Sequence, residues 1–350
     1  MEILEPRDVP LGGPRAMNVR RTLPQRRRSL IGGWCFIDHY GPDDVAATGG
    51  MRVPPHPHTG LQTVSWLFEG EIEHRDSAGS HALVQPGELN LMTAGHGISH
   101  SEVSTPEARV LHGVQLWVAL PAASREVAPF FEHHVPGAVA VGDATVRAFV
   151  GSLAGSGTAA TVFSPLVGAE ITAPAGAVVR LPLRPAFEHG VLVDAGSVSV
   201  AGTTVPVAHL AYLAPGRDAV EVVVGADGPA RLVLLGGEPL GEQIVMWWNF
   251  IGRSHDEIVA ARAQWQAEVI AGEDQAGRFG TVAGYDGSPL PAPSYPPSAS
   301  APAADPRIRS SKFASLRSFA RNSRNDVHFG DGWRGRHGGS TGGRGTMSAL

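Results

Sequence analysis

The sequence predicts an all-β fold of two tandem antiparallel β-barrels, followed by one helix and a disordered tail. Short apolar or alternating runs, separated by glycine and proline, fill residues 30–120, and a second series fills residues 145–236. Residues 288–350 are instead rich in Pro, Ser, Gly and Arg. Short strands at this spacing are typical of antiparallel sandwiches and barrels.

The first series of runs predicts a first barrel. Its runs contain the aromatic and β-branched residues that favour strands. We expect a first domain over residues 1–125, joined to the second by a connector at 126–160. The runs are Trp34–Ile37, Thr63–Phe68, Leu89–Met92 and Leu111–Val118.

The second series predicts a second barrel, in a domain over residues 161–287 that ends with a helix at about 254–270. Ser254 can cap the first turn of this helix, and Glu257 can reciprocate with its carboxylate. Apolar residues then recur on one face, which we expect to lie against a barrel. That stripe consists of Ile258, Ala261, Trp265 and Val269.

Composition excludes several classes of function. Lys312 is the only lysine, and it lies in the predicted tail, so the body has neither a Schiff-base lysine nor a P-loop. Cys35 is the only cysteine, which excludes a disulfide framework and a cysteine zinc cluster. The segment 301–350 holds 9 basic and 3 acidic residues, which leaves 19 basic against 30 acidic in the body. We therefore expect no direct nucleic-acid binding by the body.

The tail at 288–350 buries too little apolar surface to order itself, so we predict disorder. Its interleaved glycine, arginine and aromatic residues leave a nucleic-acid-binding arm as the alternative. At the other end, Met1–Asp8 has acidic residues and prolines where a signal peptide would have basic and then apolar ones. No apolar run reaches the length of a membrane span. We expect a cytoplasmic protein without a membrane partner.

Two closely spaced pairs of side chains predict a metal site. The first is His56 and His58, and the second is His100 and Glu102. Residues two apart on a strand project to the same side, so two facing strands could close a four-ligand cage. Such nitrogen and oxygen donors suit Fe(II), Mn(II), Ni(II), Cu(II) or Zn(II) rather than a soft metal.

A wider pattern surrounds these pairs. It consists of His56–Gly60, Asp76–Gly79, Pro86–Glu88, Met92–Glu102 and Leu111–Val118. Together these stretches resemble the pirin family of the cupin superfamily, over roughly residues 10–290. The resemblance implies a bicupin whose first barrel binds one non-haem iron and whose second barrel has lost its metal. The second half offers only His189 and His209, which we interpret as structural.

The resemblance implies particular ligands. The three histidine ligands and one glutamate ligand of the family fall on His56, His58, His100 and Glu102. Iron(II) is the expected ion, with Mn, Ni, Cu, Co or Zn as alternatives. Four protein ligands would leave two positions of an octahedral ion open. Pirins usually carry Glu four residues after the second histidine, and Gln62 at this position would alter redox tuning if it contacts a ligand.

The resemblance implies two classes of function. Some pirins are quercetin 2,3-dioxygenases (quercetinases), which predicts a ring-cleaving oxygenase acting on a flavonol-like aromatic substrate and O2. Glu102 would then be the catalytic residue that takes a phenol proton, unless it is a plain ligand. Other pirins are iron-dependent partners of transcription factors, which predicts a redox-sensing regulator that binds a protein partner. A metal-binding protein acting on a different small molecule is a third reading.

The sequence also suggests what surrounds the metal. Four large side chains could line a substrate cavity, although such strand residues more often belong to the core. We expect His96 to be exposed or at the mouth of the pocket. The four side chains are Trp66, Phe68, Met92 and Trp117.

Overall fold

The computed structural model describes residues 1–11 and 17–295. It contains two antiparallel barrels with a helix near the C-terminal end, which confirms the predicted tandem all-β fold. The predicted tail beyond residue 295 lies outside the described residues. Among the described residues, no helix has the length and apolar character needed to cross a membrane.

Strands dominate the first part of the described chain. Their antiparallel pairing follows from short alternating runs joined by glycine turns. In chain order the elements are β1 (Glu2–Leu4), β2 (Arg7–Pro10), β3 (Asn18–Leu23), β4 (Trp34–Asp44), α1 (Val45–Thr48), β5 (Arg52–His58), β6 (Leu61–Glu69), β7 (Ile72–Asp76), β8 (His81–Val84), β9 (Leu89–Thr93), β10 (Ile98–Ser104), β11 (Val110–Ala119) and β12 (Phe130–His134).

The first barrel combines two sheets of the described chain. The larger has the strand order β12-β9-β6-β11-β4-β3-β2, and the smaller has the order β5-β10-β7-β8. In the smaller sheet, His100 on β10 lies opposite His56 on β5 and opposite Asp76 on β7. The pairing of β5 with β10 shifts register between His100 and Glu102. The predicted metal ligands therefore lie on two adjacent strands of one sheet.

The second barrel and the C-terminal elements follow. One sheet has the order β1-β22-β19-β24-β17-β14-β13, and the other has the order β18-β23-β20-β21. The new elements are β13 (Val139–Val141), β14 (Ala144–Val150), β15 (Ser152–Leu153), β16 (Ser156–Gly157), β17 (Leu166–Ala173), β18 (Val178–Pro182), β19 (Glu188–Ala195), β20 (Val198–Val200), β21 (Thr203–Val205), β22 (Leu210–Leu213), β23 (Ala219–Val224), β24 (Ala230–Gly237), β25 (Val245–Trp247), β26 (Phe250–Gly252), α2 (His255–Trp265) and a π-helical turn (Gln266–Ile270).

The N-terminal strand links the two barrels. Leu4 on β1 pairs with Leu210 on β22, so the first residues of the chain complete a sheet of the second barrel. The following strand, β2, pairs with β3 in the first barrel. The domain bounds 1–125, 126–160 and 161–287 stay a prediction. Within those bounds, β1 would belong to the first domain by sequence and to the second barrel by its pairing with β22.

The barrels pack through an apolar core. The Trp66 ring stacks on Phe149 of the second barrel, with ring centroids 4.7 Å apart. The indole N–H of Trp34 donates to the carbonyl oxygens of Val167 at 3.2 Å and Gly236 at 3.1 Å. These contacts bury both tryptophans. They also give the Trp34 indole N–H the hydrogen-bond partners that a buried indole needs.

A polar cluster lies beside this core. Asp194 accepts hydrogen bonds from Nε2 of His39 at 2.7 Å and of His112 at 2.5 Å, and from Arg231 at 3.2 Å. A guanidinium nitrogen of Arg20 lies 3.4 Å from Nε2 of His39. Two histidines and an aspartate can hold a metal, but two guanidinium cations this close oppose one. We interpret the cluster as a hydrogen-bonded contact between the barrels.

Helix α2 begins at a capped residue. The hydroxyl of Ser254 accepts a hydrogen bond from the backbone N–H of Glu257 at 3.2 Å, as predicted. The sequence also predicts that the amide of Ser254 donates a hydrogen bond to the Glu257 carboxylate, and this prediction is wrong. The carboxylate accepts instead from the amide of Arg253 at 2.7 Å and from the Arg125 guanidinium. A paired cation binds this carboxylate more strongly than a second amide would.

The packed chain continues past residue 288, where the sequence predicts the tail to begin. The amide of Leu290 donates to the carbonyl of Pro55 on β5 at 2.8 Å, and the carbonyl of Leu290 accepts from the Trp265 indole at 2.9 Å. Tyr295 lies against Trp247, with ring centroids 4.8 Å apart. Residues 288–295 therefore belong to the folded unit.

Trp265 provides a test of this packing. Its side chain is fully buried, and its ring meets Phe279 edge-on at 5.5 Å. We expect Trp265→Ala to lower the free energy of unfolding by about 3–5 kcal/mol, measured by urea unfolding, because it leaves a cavity and removes a buried hydrogen bond. Val259 on the same helix is 42% exposed, so Val259→Ala should cost less than about 0.5 kcal/mol. Equal losses in both variants would contradict this packing.

Candidate metal centre

Three imidazoles converge inside the first barrel. His56 and His58 project from β5 and His100 from β10, and all three side chains are buried. One ring nitrogen of each lies within 4.8 Å of those of the other two. The ring centroids of His56 and His100 are 4.3 Å apart, and those of His58 lie 5.0 Å from each. The structure thus brings the three predicted histidines together.

The position of β5 explains why a proline-rich run forms this strand. Pro54, Pro55 and Pro57 have no backbone N–H, which excludes them from the middle of a sheet. Strand β5 lies at the edge of its sheet and pairs with β10 alone. The prolines also fix the backbone between the two histidines, which reduces the conformational freedom lost when His56 and His58 are placed.

Hydrogen bonds define which nitrogen of each ring remains available. Nδ1 of His56 lies 2.9 Å from the carbonyl oxygen of Pro54, and Nδ1 of His58 lies 3.2 Å from that of Asn249. A carbonyl oxygen only accepts, so each Nδ1 carries the proton and each Nε2 keeps its lone pair. This is the arrangement expected of metal-binding histidines.

The imidazoles are neutral over most of the pH range. Burial lowers the pKa of His56 from 6.5 to about 4. Burial, together with the neighbouring imidazoles, holds the pKa of His58 and of His100 well below 6.5. Metal binding requires the neutral ring, so these side chains need not lose a proton at pH 7 before they bind an ion.

Glu102 lies at one side of this cluster. One carboxylate oxygen of Glu102 lies within 4.8 Å of a ring nitrogen of His100 and of His74. His100 therefore belongs both to this group and to the group that it forms with His56 and His58. Burial raises the pKa of Glu102. The hydroxyl of Ser65 lies 3.3 Å from its Oε1. The four-residue ligand set stays a prediction. Of the three predicted histidine ligands, His100 is the one that shares a group with Glu102.

The donor set fits a first-row transition ion. Three neutral imidazoles with hydrogen-bonded Nδ1 atoms and one nearby carboxylate are the nitrogen and oxygen ligands that such ions take. No hydrogen bond found among the described residues engages Nε2 of His56, His58 or His100. One ring nitrogen of each histidine lies within 4.8 Å of the other two, so the three imidazoles could share one metal ion.

His74 is a residue that the sequence analysis missed. It lies on β7 opposite Glu102, it is buried, and its Nδ1 lies 3.5 Å from Nδ1 of His100. The signal was available, because His74 stands two residues before Asp76 in an alternating strand and so shares its face. In the sequence, Asp76 stands out only as part of the stretch Asp76–Gly79.

Gln62 does not contact the histidine cluster. Its amide nitrogen donates to Thr93 Oγ1 at 2.9 Å and to the carbonyl of Thr161 at 2.9 Å. On β6, Ser65 faces Glu102, so a residue three positions away projects to the other face of the strand. The expectation that Gln62 could contact a metal ligand and alter redox tuning is therefore wrong.

The four large side chains of the predicted cavity separate into two groups. Trp117 meets His58 edge-on at 5.0 Å and stacks on Phe36 at 4.0 Å. Met92 belongs to the same buried cluster as Trp117. Trp66 and Phe68 instead pack towards the second barrel. Trp117 is the one of the four with a ring contact to the described histidine cluster.

A cavity of about 400 Å³ lies beside the metal strands. It is lined by the turn at Gly95 and His96, by Arg125 and Glu126, and by helix α2. His96 lines it, and its expected position at the mouth of the metal pocket stays a prediction. None of the four predicted ligands lines this cavity.

Comparison with known protein families shows two matches. The family described as Pirin matches residues 16–118, and the family described as Pirin C-terminal cupin domain matches residues 168–271. The first match contains the histidine cluster and Glu102. The second covers most of the second barrel and helix α2.

Similar proteins cover most of the chain. A Pseudomonas aeruginosa protein, named provisionally as a quercetin 2,3-dioxygenase, is 43% identical over 292 residues, which are 83% of this chain and 89% of that protein. A pirin-like protein of Caulobacter vibrioides is 38% identical over 71% of this chain and 88% of its own. The crystal structure of quercetin 2,3-dioxygenase from Acinetobacter baumannii aligns with a TM-score of 0.78 and 38% identity, covering 85% of this chain and 96% of that one.

The buried imidazoles predict a pH dependence for the metal-free protein. The pKa of His56 falls from 6.5 to about 4 on folding, and burial also lowers the pKa of His58 and of His100. The free energy of unfolding should therefore fall as the pH drops from 6.5 towards 4, by about 1.4 kcal/mol per pH unit for His56, with further loss from the other two histidines. Chemical unfolding at several pH values measures this slope.

A matched pair of variants assigns the slope to the site. We expect His56→Gln to reduce the dependence, because it removes one of the buried groups. His81 lies on β8 with an exposed side chain, so His81→Gln should leave the slope unchanged. The same slope in both variants would show that the buried cluster is not its source.

Proposed function

Because this chain belongs to the pirin family, we propose that it is a mononuclear non-haem iron protein with quercetin 2,3-dioxygenase-type activity. The proposed metal ligands are His56, His58, His100 and Glu102. The expected ion is iron(II), with Mn, Ni, Cu, Co or Zn as alternatives, since imidazole and carboxylate donors bind all of them. The proposed substrates are O2 and a small, flavonol-like aromatic molecule.

One observation carries this proposal. Three buried histidines each bring one ring nitrogen within 4.8 Å of the other two, beside the buried carboxylate of Glu102. Carbonyl contacts to Nδ1 leave Nε2 of His56 and of His58 free for an ion. When bound there, a metal ion would supply a Lewis acid for a substrate hydroxyl and a redox partner for O2. The relatives named for quercetin 2,3-dioxygenase activity support this choice of reaction.

Glu102 is the proposed proton acceptor. Burial raises the pKa of its carboxyl, which brings it closer to the neutral range in which a general base works best. The Ser65 hydroxyl is close to Oε1, so Oε2 is the oxygen available to a phenol proton. Ser65 has one hydroxyl proton, and its oxygen lies closer to Oε1 of Gln115, at 2.9 Å, than to Oε1 of Glu102, at 3.3 Å.

Trp117 is the proposed aromatic wall of the substrate site. It lies against His58 and is held by its stack on Phe36. A planar aromatic substrate would gain offset stacking or edge contacts there, each worth about 0.5–1.5 kcal/mol. The surrounding apolar cluster also excludes water, which strengthens the electrostatic effect of the ligands.

Burial of the ligands favours a second candidate function. The four side chains are at most 6% exposed, and the cavity of about 400 Å³ is not lined by them. An ion enclosed in this way can change oxidation state without admitting a flavonol. The alternative is a redox-sensing regulator whose oxidation state alters binding of a protein partner, such as a transcription factor.

Incubation with quercetin in air tests the dioxygenase. We expect the iron-loaded protein to consume flavonol absorbance and to release one CO per quercetin, while the metal-free protein does neither. The amount of bound metal per chain is measured on the same sample. A fully loaded protein that leaves quercetin unchanged would refute this activity and leave the regulator as the candidate.

A variant of Glu102 tests its role as base. We expect Glu102→Gln to lower kcat per bound metal by about 10²–10⁴-fold, because glutamine cannot accept the proton. Glu107 is exposed on the loop after β10, so Glu107→Gln should retain full activity. If kcat per bound metal is unchanged in Glu102→Gln, the carboxylate is a ligand and not the base.

A further inference from the structure

We propose that His74, held by Asp76, is a positioning residue that fixes the tautomer of His100 and so directs Nε2 of His100 to the metal. The inference rests on the metal centre of the proposed function and is independent of the reaction catalysed. It explains a buried Asp–His pair to which no role has been given. Three sets of hydrogen bonds support this role: those that anchor Asp76, the contact between His74 and His100, and those of His56 and His58.

The first step is the anchoring of Asp76. Its Oδ1 accepts hydrogen bonds from the backbone N–H groups of Ala78 at 3.0 Å and Ser80 at 2.9 Å. Its Oδ2 lies 3.1 Å from Nε2 of His74. A carboxylate can only accept, so the proton between them belongs to Nε2 of His74. The turn that follows β7 therefore fixes the His74 tautomer.

The second step follows from that tautomer. A neutral imidazole with its proton on Nε2 has a lone pair on Nδ1, and this Nδ1 lies 3.5 Å from Nδ1 of His100. Two facing nitrogens attract only if one carries a proton, and here the donor must be His100. Its Nδ1 then holds the proton, and Nε2 of His100 keeps its lone pair.

The third step is agreement with the other two ligands. The carbonyl oxygens of Pro54 and Asn249 impose the same Nδ1–H tautomer on His56 and His58. Within residues 1–11 and 17–295, no backbone carbonyl contacts a ring nitrogen of His100, whose Nδ1 lies beside Nδ1 of His74 instead. All three imidazoles then present Nε2. Partners of this kind typically change metal affinity about 10–100-fold when removed.

Packing holds His74 in this orientation. Its ring stacks on Phe131 at 4.7 Å with an interplanar angle of 25°, and its centroid lies 5.2 Å from that of His100. Strand register places His74 opposite Glu102 and Asp76 opposite His100. The pair is therefore rigid before any ion binds, as a positioning role requires.

Cobalt(II) binding to the full-length protein provides the test. Affinity is measured by competition with a chelator, and the d–d absorption spectrum reports the ligand geometry. We expect His74→Leu to weaken cobalt binding about 10–100-fold and to leave the shape of the spectrum unchanged, because the ligands are the same. His74→Gln keeps an acceptor oxygen, so it should recover part of the loss. His81→Leu, on the neighbouring strand, should bind as the wild type does.

Asp76→Asn sharpens the test. The amides of Ala78 and Ser80 hold the asparagine oxygen, so its NH2 group faces Nε2 of His74 and donates to it. This reverses the tautomer of His74 and pushes the proton of His100 onto Nε2. We expect Asp76→Asn to weaken cobalt binding at least as much as His74→Leu does. In the double variant the two losses should not add, because Asp76 acts through His74.

The outcomes separate the proposals. Additive losses in the double variant, or wild-type affinity in His74→Leu, would overturn the positioning role. A changed spectrum in His74→Leu would overturn it in favour of His74 as a direct ligand. A wild type that binds no cobalt would overturn the metal centre as well, whereas binding without quercetin cleavage would refute the dioxygenase alone. Unfolding measurements on each variant confirm that it is folded.

Discussion

The candidate site depends on the hydrogen bonds that hold the proton on Nδ1 of each buried imidazole. Three histidines can share a small, water-poor space only if they are neutral, and they can bind one ion only if the same nitrogen of each is free. The carbonyl of Pro54, which lies two residues before His56 on β5, provides this contact within the strand itself. The carbonyl of Asn249 provides it for His58 from a distant part of the chain.

This dependence gives the C-terminal half a role in a site whose ligands all lie in the first barrel. Asn249 lies between β25 and β26, and the amide of Ile251 on β26 donates to the carbonyl of Thr59 at 3.0 Å. The amide of Leu290 donates to the carbonyl of Pro55 on β5. Strand β5 is an edge strand, and these contacts cover the side that β10 leaves open. They also satisfy backbone groups of a proline-rich strand that would otherwise be exposed.

Much of the fold and part of the site could be predicted from the sequence. The two-residue period of a strand was enough to pair His56 with His58 and His100 with Glu102. The same period would have identified His74 from Asp76, and it would have placed Gln62 on the opposite face from Ser65. The register shift places His100 opposite His56 but Glu102 opposite Val53. It depends on how β5 pairs with β10, so the sequence around either residue does not predict it. The packing of residues 288–295 could not be predicted either, because their composition resembles that of a loop. The backbone contact that fixes them, from the amide of Leu290 to the carbonyl of Pro55 on β5, leaves no mark on the side chains.

The central claim is that one ion binds the freed Nε2 atoms of His56, His58 and His100. Anomalous diffraction from crystals of the iron-loaded protein, recorded on both sides of the iron absorption edge, tests it most directly. We expect a single peak inside the first barrel, about 2.0–2.2 Å from all three Nε2 atoms. A peak at the His39, His112 and Asp194 cluster, or coordination through any Nδ1, would contradict it.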